Sequence, residues 1–283
     1  MIRNTFCHIP GVGLRKEAHI WSLGIHSWDH IDTDALPFGK KRALTFKEQI
    51  GESVERLHAG DCAYFYGSLP SDQQWRLFGE FRGKTAYLDI ETTGMGYPSD
   101  HITTIALYDG KRIRHYVHGV NLNDFPKDIA RYDLLVTYNG KSFDIPMIRQ
   151  QFRIAMNHAH IDLRYVLRSL GYSGGLKGCE KQLGLDREEL DGVDGFFAVL
   201  LWQDYKRRGN RAALDTLLAY NIMDTVNLET LMVIAYNMKL QRQTLFAGTH
   251  VLQLPEQPEI PFSADLGTIE RIRPQTAAFP SYR

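Results

Sequence analysis

Asp89 and Glu91 stand two residues apart in the stretch Thr85-Ala86-Tyr87-Leu88-Asp89-Ile90-Glu91-Thr92-Thr93-Gly94. Read as a strand, this stretch puts both acids on one face and Leu88 and Ile90 on the other. Two carboxylates side by side repel, and neither has a Lys or Arg among its immediate neighbours. A divalent cation would neutralise them, and hard oxygen ligands suit Mg²⁺ or Mn²⁺. A lone D-x-E pattern is equally compatible with two solvated acids where a strand runs into a turn.

A site that grips a phosphate between two cations needs about four carboxylates from different elements. A second contribution stands in Asn139-Gly140-Lys141-Ser142-Phe143-Asp144-Ile145-Pro146. Here an apolar strand over 134–138 ends, and Pro146 suits the first turn of a following helix. Asp144 at this junction is a metal-ligand candidate, although Ser142 or Asp144 would also serve as a helix cap. The third contribution is Tyr220 and Asp224, four apart and so on one face of a helix. Leu217, Leu218, Ile222 and Val226 give that helix a separate apolar side.

The surrounding pattern is α/β. Strands are expected over 85–90, 102–108 and 112–118, with Asp109-Gly110 as a hairpin turn between the last two. A short helix over 122–132 leads to the strand at 134–138, and the alternation argues for a mixed sheet flanked by helices. From Ile145 onward the chain reads as largely helical, with breaks at 171–175, Gly192 and 209–210, and a last helix from about Leu228 to Gln243. Residues 1–82 read as a smaller, mostly helical region and 83–243 as the α/β domain. Residues 244–283 read as a proline-containing tail, extended or disordered. In the N-terminal region, 63–67 reads as a turn and 75–81 as a helix.

Ile9-Pro10-Gly11-Val12-Gly13 followed by an amphipathic segment is similar to the hairpin and second helix of a helix-hairpin-helix motif. In that motif, backbone N–H groups freed by glycines such as Gly11 and Gly13 meet a phosphate. A glycine-rich turn opening a packed helix fits the same residues. Only eight residues precede Ile9, so the first helix of such a motif is short or missing.

The 283 residues carry 33 Lys plus Arg against 33 Asp plus Glu, so no whole-chain basic field singles out nucleic acid. Local clusters remain: Lys206-Arg207-Arg208 with Arg211, and the glycine-rich Ser173-Gly174-Gly175 before Lys177. Each reads equally as a solvated loop or a helix start. Cys7, Cys62 and Cys179 form no C-x-x-C, and His8, His19, His26, His30 and His58 match no zinc spacing. His158-Ala159-His160-Ile161-Asp162 is a rival acid-bearing pattern, with Asp162 read as a supporting acid rather than a ligand. With neither a secretory signal nor an apolar run of membrane length, the expected location is cytoplasmic.

D-I-E-T-T-G, then N-G-x-x-F-D, then Y-N-x-x-D-T, in that order, resembles the three motifs of the DEDD (DnaQ-like) 3′-to-5′ exonucleases, which have a ribonuclease-H-like fold. Tyr220 four residues before Asp224, with Ala219 where the other branch has histidine, is similar to the DEDDy branch. The region 85–240, with Ile161 to Arg164 and Ser173 to Lys177, and the segment 9–28 are similar to the YprB-type ribonuclease-H-like nucleases of bacteria.

The resemblance implies a metal-dependent 3′-to-5′ exonuclease acting on single-stranded DNA or RNA with two divalent cations, Mg²⁺ or Mn²⁺. Asp89, Glu91, Asp144 and Asp224 would hold the metals. Tyr220 would orient the attacking water, because a phenol with a free pKa near ~10 is a poor base at neutral pH. Thr92 would contact the terminal nucleotide, and Asn139 and Phe143 would frame the scissile phosphate or its base. The alternatives are a catalytically weak or inactive nucleic-acid-binding protein and a structure-specific endonuclease on the same fold.

Overall fold

In this computed structural model, residues 1–94, 100–185 and 195–276 are described, the side chains of 274–276 excepted. The chain divides into two compact units, one comprising 1–85 and 236–252, the other 86–235 and 253–283.

The first unit contains helices α1 (Leu14–Ser22), α2 (Lys40–His58), α3 (Cys62–Ser68) and α4 (Phe78–Phe81). Apolar residues of α2 recur at helical spacing, so Phe46, Ile50 and Leu57 are buried on one face. Residues 63–67, expected as a turn, belong to α3. Asp61 caps its first turn by accepting from the Tyr64 N–H at 3.0 Å, a favourable use of an acid where helix donors are unpaired. The unit closes around a buried ion pair. Glu17 accepts from the Phe6 and Cys7 N–H groups at 2.7 and 3.0 Å, and Arg76 donates to both its oxygens at 2.8 and 2.9 Å. Both partners are 1 % exposed, so the charges are tolerable only because each is bonded from several directions.

The second unit is a mixed five-stranded sheet, order β3-β2-β1-β4-β5 among the described residues. Its strands are β1 (Thr85–Thr92), β2 (Ile102–Tyr108), β3 (Ile113–Val117), β4 (Leu134–Thr137) and β5 (Ala159–Asp162). β1, β2 and β3 pair antiparallel, and β4 pairs parallel with β5. Helix α5 (Phe125–Ile129) follows β3, and α6 (Asp144–Phe152) lies between β4 and β5. After β5 come α7 (Leu163–Leu170), α8 (Gly175–Gln182), α9 (Gly195–Arg208) and α10 (Arg211–Gln243). One core gathers Leu88 and Ile90 of β1, Ile105 and Leu107 of β2, Leu135 of β4, and Phe125, Ile145 and Ile148 from the helices. The α/β expectation for this part of the chain therefore holds, with flanking helices on a mixed sheet.

Two further expectations change. α10 is continuous from Arg211, and not a shorter helix starting near Leu228, because no glycine or proline interrupts 211–243. The C-terminal stretch is not wholly extended: after the short α11 (Ala247–His250) it carries α12 (Leu266–Thr276). Ile269 and Ile272 of α12 are buried, and Arg271 donates to Asp204 of α9 at 3.0 Å. Proline spacing misled here, since an i,i+3 apolar pair with one ion pair is enough to seat a short helix. The expected break at Gly192 and the last residues of the tail lie outside the described residues.

Candidate active site

Asp89, Glu91, Thr92, Asn139, Phe143, Asp144, Tyr220 and Asp224 all line one cleft of about 780 Å³ in the second unit. Three local features put them there. On β1, alternation carries Asp89 and Glu91 to the same side, and the register with β2 shifts between Glu91 and Thr92. Such a bulge re-aims the side chains at a strand end. At the end of β4, Asn139 takes a left-handed conformation (φ 66°), which asparagine tolerates better than most residues. The turn it makes leaves Phe143 as the N-cap of α6 with no side-chain cap bond, and Asp144 as its first residue. Asp144 is therefore not the helix cap that its position allows. On α10, Tyr220 and Asp224 share the face that meets the cleft, and both are nearly buried.

Gly11 and Gly13 belong to the first unit and are not among these residues. Gly11 is left-handed (φ 79°), and the Lys16 ammonium donates to its carbonyl oxygen at 2.9 Å. Gly13 is the N-cap of α1.

The four acids act on one another. Asp89 is held well above the ordinary carboxylate range, first by burial and then by the negative charges of Asp144, Glu91 and Asp224. Asn221 opposes this by donating to Asp89 Oδ2 at 2.7 Å. Asp144 is pushed up to about 7, chiefly by burial, with the Asp162 charge adding to it and the backbone amides of Asp144 and Ile90 pulling back. Asp144 Oδ1 is buried without a hydrogen-bond partner.

Among the described residues no three His, Cys, Asp or Glu side chains converge at metal-ligand spacing. Mutual repulsion of like charges opposes such a gathering. Charge acts over a longer range, and Glu91, Asp144 and Asp224 all raise the pKa of Asp89. An all-oxygen donor set containing an unsatisfied buried carboxylate oxygen fits a hard divalent cation.

Several residues in or behind the cleft take roles that spacing alone does not show. Asn221 sits inside the Tyr220–Asp224 motif, but its bonds to Asp89 and, as acceptor, to Thr104 Oγ1 at 3.0 Å appear only in the fold. Asp162, expected as a supporting acid, caps α7 through the Arg164 N–H and accepts from the Asn139 N–H (2.7 Å) and Lys141 N–H (3.0 Å). It thereby pins the loop that carries Asn139 and Asp144. His160 pairs with Thr137 at 2.8 Å and is buried, its pKa lowered to about 3 by burial first. Tyr138, Arg164, Arg168 and Tyr172 also line the cleft, and the Lys177 ammonium lies 4.9 Å from the centre of the Tyr220 ring. Arg164 hydrogen-bonds Asn139 Oδ1. The basic cluster at 206–211 is partly neutralised: Arg208 lies 3.6 Å from Asp204 and Arg211 3.0 Å from Asp215.

The model of a family described as the RNase_H superfamily matches residues 86–236, just over half of the chain. All eight cleft residues named at the head of this section fall within that span; Gly11 and Gly13 do not. No curated protein matches the chain. Among solved structures, the chain is similar to the family B DNA polymerase of the hyperthermophilic archaeon Pyrobaculum calidifontis, at 16 % identity and a TM-score of 0.41. The match covers 54 % of this chain and 25 % of the polymerase, so the chain spans about a quarter of that protein's length. Among the described residues no helix is long and apolar enough to cross a membrane.

Proposed function

Because this chain belongs to the RNase_H superfamily, we propose that it is a metal-dependent 3′-to-5′ exonuclease of single-stranded DNA or RNA, of the DEDDy type. It would release nucleoside monophosphates. The observation that carries this reading is the gathering of four carboxylates and Tyr220 in one cleft, with Asp89 held above the ordinary carboxylate range by burial and by its acidic neighbours. A site that keeps four acids against their own repulsion is organised for a countercharge.

Asp89, Glu91, Asp144 and Asp224 would hold two Mg²⁺ or Mn²⁺ ions. When bound, these would neutralise charge developing on the phosphate and ease ionisation of water. The chain's own residues do the rest. Tyr220 orients the attacking water from its seat on α10. Asn221 holds the Asp89 carboxylate in place through its bond to Oδ2. Thr92, Asn139 and Phe143 bind the terminal nucleotide, and Asp162 holds their loop in place. Gly11 and Gly13 give the first unit a grip on more distant phosphate.

The basic and aromatic lining of the same cleft, Arg164, Arg168 and Tyr172, also suits a second reading, a nucleic-acid-binding protein without hydrolysis. One experiment separates the two. Matched DNA and RNA strands, end-labelled and with free or blocked 3′ ends, are incubated with the full chain in Mg²⁺ or Mn²⁺. Stepwise shortening from free 3′ ends alone supports the exonuclease. Internal cleavage points to an endonuclease, and binding without cleavage in both metals sinks the enzymatic reading.

A further inference from the structure

Arg164 and Arg168 stand one turn apart on α7, both exposed and both lining the cleft that holds the acids. The opposite side of this helix buries Leu163, Leu167 and Leu170, so packing does not require basic residues on the outer face. Arg164 is engaged with Asn139, whereas Arg168 has no carboxylate partner among the described residues. Gly171 ends α7 in a left-handed conformation (φ 101°), and Tyr172 follows it as a half-buried lining residue. Gly174 and Gly175 are also left-handed (φ 99° and 76°), and a Cβ on Gly175 would meet only open space. These glycines leave bare backbone along the cleft, which lets another chain approach closely.

Guanidiniums at one-turn spacing, an aromatic ring beside them and a bare backbone are the parts of a surface that follows a single nucleic-acid strand. Arginines take phosphates and a ring takes a base face. We infer that Arg164, Arg168, Tyr172 and the Gly174–Gly175 backbone form a subsite for the strand upstream of the scissile bond. Arg164 and Arg168 hold successive phosphodiesters there, and Tyr172 stacks on a base. This rests on the nuclease reading of the same cleft and extends it. The cleft is then built for an oligonucleotide instead of a mononucleotide ester, and it grips without reading sequence, since phosphate and stacking contacts carry little base information.

The test measures binding without hydrolysis, using the full chain in EDTA and the anisotropy of 5′-fluorescein-labelled dT12, rU12, dT2 and a 12-base-pair duplex. For R168A, the slope of log affinity against log salt for dT12 should fall by about 0.7, the value of one lost single-strand phosphate contact. R168K should keep most of that slope. Y172A should weaken dT12 and rU12 binding by about 5-fold or more, the lower end of a lost base stack, with Y172F close to wild type. Binding of dT2 should change little in either variant.

Wild-type affinity and salt slope in both R168A and Y172A overturn the inference, as does a wild-type chain that binds duplex or dT2 as tightly as dT12. Weakening confined to one sugar type overturns the backbone-only grip. Melting curves guard against misfolding, because R168K and Y172F retain the side-chain bulk. A protein that passes these binding tests but degrades no strand in Mg²⁺ or Mn²⁺ loses the proposed nuclease function and keeps this subsite.

Discussion

Asn221 ties α10 to two strands of the sheet: its amide donates to Asp89 Oδ2 at 2.7 Å while its carbonyl oxygen accepts from Thr104 Oγ1 at 3.0 Å. One fully buried side chain on α10 thus ties the central strand to its neighbour and holds an acid whose pKa the fold raises. Replacing Asn221 with Ala should lower hydrolysis or metal affinity by about 10- to 100-fold, the usual effect of losing such a partner. Steady-state rates with a Mn²⁺ titration measure it. An unchanged N221A would mean that Asp89 needs no fixing.

Asp89→Asn and Asp224→Asn should each abolish degradation of a labelled strand while circular dichroism and melting remain native-like. Burial and three like charges already favour the neutral form of Asp89, so an amide there costs little packing. Near wild-type rates in D89N, in either Mg²⁺ or Mn²⁺, remove it from the catalytic set.

Asp144 ties stability to pH through its folded pKa of about 7, against an unfolded value near ~3.9. The folded state keeps a proton that the unfolded chain sheds. The metal-free protein therefore loses stability as pH rises from about 4 to 7, by up to about 1 kcal/mol per pH unit from this group, and then levels off. Asp144→Asn lacks this term, so its stability relative to wild type should climb across that window in EDTA. Parallel melting curves at pH 4 to 8 test this; a constant offset refutes it. Metal should also bind wild type more tightly above pH 7, where the ligand is ionised.

His8 has the opposite sign. Burial lowers its pKa to about 3, and it pairs with Ser53 at 2.9 Å. The unfolded chain takes up the proton near ~6.5 and the folded one does not, so stability falls as pH drops from about 6.5 toward 3. His8→Gln should flatten this acid limb, and urea titrations at pH 4, 5 and 7 would reveal it.

Arg76→Ala should cost the first unit about 3–5 kcal/mol, because it leaves Glu17 buried and charged without its partner. Chemical denaturation of the full chain gives the figure. A loss below about 1 kcal/mol would mean that the Phe6 and Cys7 amides alone suffice for Glu17.

Gly13→Ala is the cleaner probe of the glycine hairpin, since a Cβ there meets nothing within 4 Å. Gly11→Ala is strained at φ +79° and would crowd Arg42. If the hairpin grips phosphate, G13A should weaken binding of long strands more than of dinucleotides, read by anisotropy. Equal effects on both lengths would reduce Gly11 and Gly13 to a turn.

What the sequence determined by itself is the set of local relationships. A period of two puts Asp89 and Glu91 on one side of β1. A period of 3.6 puts Tyr220 and Asp224 on one face of α10, and the Asp109-Gly110 turn pairs β2 with β3. These follow from backbone geometry within a few residues and need no neighbour. Tertiary structure decided everything that depends on which elements pack together. Asn221 reaches Asp89 across 132 positions, Asp162 holds the Asn139 loop from β5, and Arg168 lines the same cleft as the acids. Composition hid α12 for the same reason: Ile269 and Ile272 look incidental among prolines until α9 gives them a surface. The ionisation of the acids is likewise a property of the fold, because a carboxylate resists losing its proton only where burial and three like charges surround it.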